Sequence, residues 1–229
     1  MKAMILAAGR GERMRPLTDS TPKPLLKAGG KPLIVWHLER LAKAGFNEVI
    51  INHAHLGEQI EQVLGDGSQW GVHIQYSAEK VALETAGGIA NALHLLGNAP
   101  FLVVNGDTFT ALDFSPLKAV LQPNHLAHLV LVNNPPQHAE GDFVFEDGQL
   151  KNVGVRKLTF SGVGVYHPEL FAHIAKGEPA RLAPLLRHAI DNNRATAQYY
   201  QGVWHDIGTP ERLDNLDQLL KNNTLERYV

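Results

Sequence analysis

Ala3-Met4-Ile5-Leu6-Ala7 runs straight into Ala8-Gly9-Arg10-Gly11-Glu12-Arg13-Met14-Arg15-Pro16-Leu17-Thr18, and the polar stretch closes on Pro22-Lys23-Pro24. The opening run is apolar throughout, the pattern of a strand covered on both faces. The polar stretch has no apolar period and carries Gly and Pro, so it is a loop leaving the strand's carboxyl end. Small residues at Ala7, Ala8, Gly9 and Gly11 let backbone N–H groups approach an anion closely. Arg13, Arg15 and Lys23 bring three cations to the same loop. An isolated Gly-x-Gly is most often a solvated turn, but this whole string suits a triphosphate. It lacks the closing Gly-Lys-Ser/Thr of a Walker A loop, and Met14 stands where a dinucleotide fingerprint needs its third Gly.

Outward from that loop, Leu33, Trp36, Leu38 and Leu41 fall near one face of a helix over 32–44, stopped by Gly45. Strands are expected at 48–52, 72–76 and 100–104, with helices at 57–64 and 85–96 between them. Near-continuous apolar strands separated by helices predict an α/β fold. It is Rossmann-like, with a mixed, mostly parallel sheet and helices on both faces. The second half is less regular. A strand is expected over 125–132, and Asp147-Gly148 supplies the turn of a hairpin joining 143–146 to 149–153. Further strands at 160–166 and 196–201 flank a helix at 182–192. Thr209-Pro210 caps and opens a final helix. The expectation is a single domain over 1–229, with a β-rich lobe inserted over its rim and a tail, 222–229, without a packing partner.

The formal net charge of −2 argues against broad nucleic-acid binding. No cysteine occurs in the chain, which excludes disulfides and thiolate metal sites and fits a reducing compartment. Gly9 and Arg10 break the short apolar start, and no apolar run approaches the roughly 20 residues of a membrane span. A soluble cytoplasmic protein without nucleic-acid or membrane partners is expected; oligomeric state is left open. His53 and His55 share a strand face, but with no clustered carboxylate they read as surface-loop residues rather than a metal pair.

Three segments occur in an order that resembles the sugar-1-phosphate nucleotidyltransferases. They are the string from Gly9 to Pro24, Val104-Asn105-Gly106-Asp107, and Trp204-His205-Asp206-Ile207-Gly208-Thr209-Pro210. The resemblance spans nearly the whole chain. It implies that Ala8, Gly9, Gly11, Glu12, Arg13, Lys23 and Asn105 meet the nucleotide, with Lys23 also near the sugar phosphate. It further implies that Asp107 and Asp206 bind Mg2+. The physical reading agrees, because ligands of open α/β sheets bind outside the carboxyl ends of the strands. Two carboxylates with phosphate oxygens and water make the hard oxygen site magnesium prefers. His205 reads equally as packing or as support for that site. On this resemblance residues 1–110 form a nucleotide-binding half and 111–221 a sugar-phosphate-binding half.

Base recognition is expected from Glu79, Thr85, Ala86 and Gly87. Relatives often carry Leu-Gly-Thr-Ala where this chain has Leu83-Glu84-Thr85-Ala86. The residues leave uracil and guanine open, so UTP or GTP is the nucleotide partner. The compact chain resembles uridylyltransferases acting on N-acetylmuramate 1-phosphate, with guanylyl transfer to mannose 1-phosphate, or a non-catalytic nucleotide sensor, as alternatives. Asn105, Glu140, Gly141, Arg156, Lys157 and Gly162 are the residues the resemblance points to for the sugar phosphate. The implied reaction joins an NTP to a sugar 1-phosphate and releases pyrophosphate.

Overall fold

A computed structural model of the chain describes residues 1–222. Apart from Asn222, which ends the last helix, the expected tail lies outside the described residues. In chain order the elements are β1 (Ala3–Leu6), β2 (Lys27–Ala28), β3 (Lys31–Pro32), α1 (Leu33–Lys43), β4 (Glu48–His53), α2 (Gly57–Leu64), β5 (His73–Ala78), α3 (Glu84–Leu96) and β6 (Phe101–Asn105). The second half adds β7 (Thr108–Thr110), β8 (Ala127–Val132), β9 (Phe143–Glu146), β10 (Gln149–Lys151), β11 (Lys157–Tyr166), α4 (Leu182–Asp191), β12 (Ala195–Tyr199), β13 (Trp204–Asp206) and α5 (Pro210–Lys221).

β1 lies inside the sheet, parallel to β4 on one side and to β6 on the other. The chain steps outward from β1 to β4 and β5, then returns across β1 to β6. The strand order therefore reverses between β1 and β6, and the loops leaving these two strands open into one crevice. β11 runs antiparallel to β6 and β8, which makes the sheet mixed. The β9–β10 hairpin hydrogen-bonds through Lys157 and Leu158 of β11, so the expected β-rich insertion is tied into the main sheet. Its turn is the Asp-Gly pair, both residues at positive φ as a tight hairpin requires.

Alternation along the strands explains why they are apolar throughout. Ala3, Ile5, Val49 and Ile51 pack with α1 and α2, while Met4, Ile50, Phe101 and Val103 pack with α3 and α4. A third cluster joins Met14 of the first loop to Leu33 and Trp36 of α1, Phe109 of β7, Ile207, and Leu213 and Leu216 of α5. Leu33 and Trp36 thus face this cluster while Leu38 and Leu41 face the sheet, so α1 is buried on two sides. No helix among the described residues is long and apolar enough to cross a membrane. The reading of His53 as a surface-loop residue is corrected. It ends β4, is buried, and its Nε2 meets Glu61 Oε1 at 2.7 Å.

His37 sits on the doubly buried side of α1. Its Nε2–H donates to the Thr108 carbonyl at 2.7 Å and its Nδ1 has no partner. Burial, only partly offset by that bond, pushes its pKa down from 6.5 to about 4. The unfolded chain takes up this proton near its ordinary value, before the folded protein does. Stability is therefore fully present above roughly pH 6.5 and falls as pH drops toward about 4, by on the order of 3 kcal/mol for this group alone. Urea unfolding from neutral into mid-acid pH should show a shallower loss for His37→Gln than for the parent; equal slopes would dismiss His37 as the source.

Candidate active site

The crevice at the strand-order reversal is a cleft of about 420 Å³. Ala8, Gly9, Gly11, Glu12, Arg13 and Lys23 of the first loop line it, with Glu79, Thr85, Asn105 and Asp107 on its other walls. The loop is folded back on itself. Gly11 takes φ +66°, a Cβ there would stand 2.9 Å from Thr18 Cγ2, and the Thr18 hydroxyl donates to the Gly11 carbonyl at 2.9 Å. Only glycine accepts both that conformation and that approach. Lys23 is buried, and its Nζ donates to Asp107 Oδ2 at 2.7 Å. The Arg13 guanidinium lies 3.2 Å from where a Cβ on Gly208, another lining residue, would stand. Arg15, by contrast, turns to the exposed Glu12 and Asp19.

Asp206 reaches the same rim through a ribbon that sequence periodicity did not reveal. β13 pairs antiparallel with β7, placing Asp206 opposite Thr108, and the Ile207 N–H donates to the Asp107 carbonyl at 3.0 Å. Asp107, in the turn between β6 and β7, and Asp206, at the end of β13, are thereby held at adjoining positions. Arg212, one turn into α5, bonds the Asp206 carboxylate, while Thr209 caps that helix. A second cleft of about 230 Å³ shares Asn105 and Asp107 with the first and adds Asp206, Thr159, Ser161, Trp204, His138 and Asp142. Asp107 is therefore common to both clefts.

Among the described residues no group of three or more His, Cys, Asp or Glu could enclose a metal. Two ionisable carboxylates beside a basic loop instead suit a hard cation that completes its shell with phosphate oxygens and water, as Mg2+ does. His205 turns toward packing. Its ring lies 6.4 Å from Phe109, and burial lowers its pKa.

Several expected positions fall elsewhere. Ala86 and Gly87 do not line the cleft; their N–H groups bind the Ala180 carbonyl, and a Cβ on Gly87 would stand 2.4 Å from the Glu178 carbonyl. They seat α3 against the 178–180 segment. Glu79 is on the cleft wall, but its oxygens accept from Asn52 Nδ2 at 2.7 Å and Leu83 N at 2.9 Å. Asn52 in turn accepts from Ala7 N at 3.0 Å. Glu79 thus ties the first loop to the start of α3. Glu140, Gly141, Arg156 and Lys157 line neither cleft. Gly141 makes a left-handed turn, Arg156 is exposed, and Lys157 opens β11. Gly162 lets β11 pass the Asn105 side chain, whose Nδ2 would stand 2.5 Å from a Cβ. Asn52, His138 and Arg212 went unread, since no local motif marks them; Asn52 acquires its place only through Ala7 and Glu79, and His138 and Arg212 only through the carboxylates of Asp142 and Asp206. Glu84 adopts φ +59° on the cleft wall.

The fold and the two clefts define a nucleotidyltransferase. The family description of nucleotidyl transferases matches residues 2–223, and the chain belongs to that family. It is similar, at 57% identity over 226 residues, to an N-acetylmuramate alpha-1-phosphate uridylyltransferase of Neisseria meningitidis serogroup B, a match covering 96% of this chain and 98% of the relative. A mannose-1-phosphate guanylyltransferase of Mycobacterium tuberculosis is 41% identical over 221 residues, covering 91% of this chain and 61% of the relative. In three dimensions the chain resembles a Bacillus anthracis protein solved with sucrose, at TM-score 0.85 and 21% identity, covering 97% and 96% of the two chains. That likeness establishes the shared fold.

The wall of the first cleft sets two stability outcomes. Asn52→Leu strands the Ala7 N–H and one Glu79 oxygen in a buried position and should cost about 2–4 kcal/mol in urea unfolding. Asn52→Asp should cost at least as much, because it buries a second carboxylate against Glu79. Glu84→Gly relieves a left-handed conformation worth about 1–2 kcal/mol, offset in part by the freedom glycine gains when unfolded. Its melting temperature should equal or exceed the parent's, whereas Glu84→Ala, which keeps the Cβ, should gain nothing.

Proposed function

We propose that the chain transfers uridylyl from UTP to N-acetylmuramate 1-phosphate, releasing pyrophosphate. The observation that carries the reading is Asp107, paired with Lys23 and shared by two adjoining clefts, in a chain so similar to a uridylyltransferase of that sugar. One cleft takes the nucleotide, the other the sugar phosphate, and the reacting phosphates meet at the common wall. On this reading residues 1–110 form the nucleotide half and 111–221 the sugar-phosphate half. The absence of cysteine suits the cytoplasm as its location.

An oxygen of the sugar phosphate attacks the α-phosphorus in line, a P–O bond forms, and the bond to pyrophosphate breaks. The nucleophile needs no dedicated base, since a phosphate monoester has a second pKa of about 6. Catalysis then reduces to positioning and charge neutralisation. Arg13 and Lys23 neutralise the triphosphate; Gly9 and Gly11 let the backbone close on it; Asn105 borders both substrates. Asp107 and Asp206 would hold Mg2+, which supplies further positive charge at the reacting phosphate. The retained Lys23, Asp107 and Asp206 favour an enzyme over a silent nucleotide sensor.

Asp107→Asn or Asp206→Asn should lower kcat at least roughly a hundredfold while melting curves stay cooperative; near-parental magnesium-dependent turnover in either would overturn the metal assignment. Arg13→Ala and Lys23→Ala should lower kcat as well as raise KM, and a change in KM alone would reduce both to ground-state binding. In a matrix of nucleoside triphosphates and sugar 1-phosphates, UTP with N-acetylmuramate 1-phosphate should give the highest kcat/KM. A maximum for GTP with mannose 1-phosphate would instead assign guanylyl transfer.

A further inference from the structure

Resting on the substrate reading above, we propose that His138, held by Asp142, recognises the carboxylate of the acidic sugar 1-phosphate. N-acetylmuramate carries a lactyl ether ending in a carboxylate, which N-acetylglucosamine lacks. The second cleft is an unwelcoming place for such a group, because Asp107, Asp142 and Asp206 all line it. Among its lining residues His138 is the single basic side chain. Arg156 and Lys157 are not among them, and the nearby Arg212 is engaged by the Asp206 carboxylate and carbonyl.

The histidine is presented by a braced loop. Its Nε2 meets Asp142 Oδ1 at 3.0 Å, while Asp142 Oδ2 accepts from Phe160 N at 2.8 Å. Asn134 clasps the loop from the other side. Its Nδ2 donates to the Ala139 and Lys157 carbonyls, each at 2.9 Å, and its Oδ1 accepts from the Thr159 hydroxyl at 2.9 Å. Gly141 closes the turn at φ +63°, where a Cβ would stand 2.7 Å from Asn134 Oδ1. With Nε2–H donating to Asp142, the ring presents Nδ1 as its remaining polar atom. Doubly protonated, the ring donates from Nδ1–H to a carboxylate as well, while the Asp142 carboxylate balances its charge. The side chain is 43% exposed, so a substrate can reach it. A loop staple alone would need the His138–Asp142 bond but would not distinguish an acidic sugar from a neutral one.

The test measures kcat and KM with UTP for N-acetylmuramate 1-phosphate and N-acetylglucosamine 1-phosphate, in the parent, His138→Gln and Asp142→Asn. His138→Gln keeps a donor toward Asp142 and loses the ring's second nitrogen. It should cut the parent's preference for the acidic sugar roughly tenfold to a hundredfold, mainly through KM. Asp142→Asn should cut it less, and serves if the first variant melts early. Equal losses for both sugars would reduce His138 to a loop staple and overturn the proposal. A lost preference in Arg156→Gln with none in His138→Gln would overturn it too. If the parent used neither sugar with UTP but did use mannose 1-phosphate with GTP, the substrate reading itself would fail.

Discussion

The ribbon of β7 and β13 is the constraint on which the rest depends. The Ile207 N–H donating to the Asp107 carbonyl locks the end of β6 to a segment far along the chain, and both aspartates arrive at one rim because of it. Two backbone strands of three residues are too short to hold themselves. They are held from beneath by Phe109 and Ile207, fully buried with Met14, Trp36 and Leu213. Trp36 and Phe109 meet edge to face at 5.5 Å, and His37 on the same helix binds the Thr108 carbonyl. The apolar cluster that stabilises the fold is thus also what sets the spacing of the charged groups above it.

The charges themselves are poor stabilisers. The Lys23 side chain is 9% exposed and that of Asp107 40%, so the pair loses hydration on one side and is screened on the other. Its value is positional: a cation and a carboxylate are fixed at the boundary of two clefts before any phosphate arrives, so little reorganisation remains when charge develops. Arg212 on Asp206 repeats the arrangement on the neighbouring strand. The Asn52–Glu79 link does comparable work in a drier setting, holding the first loop and the start of α3 at a common distance through buried hydrogen bonds.

Much of this was legible in the residues. Unbroken apolar runs separated by amphipathic segments predicted a mixed, mostly parallel sheet covered on both faces, because only burial on both faces permits such runs. The Gly-rich loop with Arg13 and Lys23, and the aspartates at the ends of short apolar runs, carry their chemistry in local order. Those properties are written in neighbouring residues and survive in any reading of the chain. What tertiary structure alone decided is which side chains share a cavity. Glu79 and Gly87 looked like readers of a base and are fastened to Asn52 and Ala180; Arg156 and Lys157 looked like anion binders and lie outside both clefts; His138 and Arg212 carried no local signal and stand at the second cleft and its Asp206. A strand run or a phosphate loop is a periodic, short-range property. A cavity wall is assembled from segments a hundred residues apart, whose meeting is set by strand order and by core packing, and no local pattern records it.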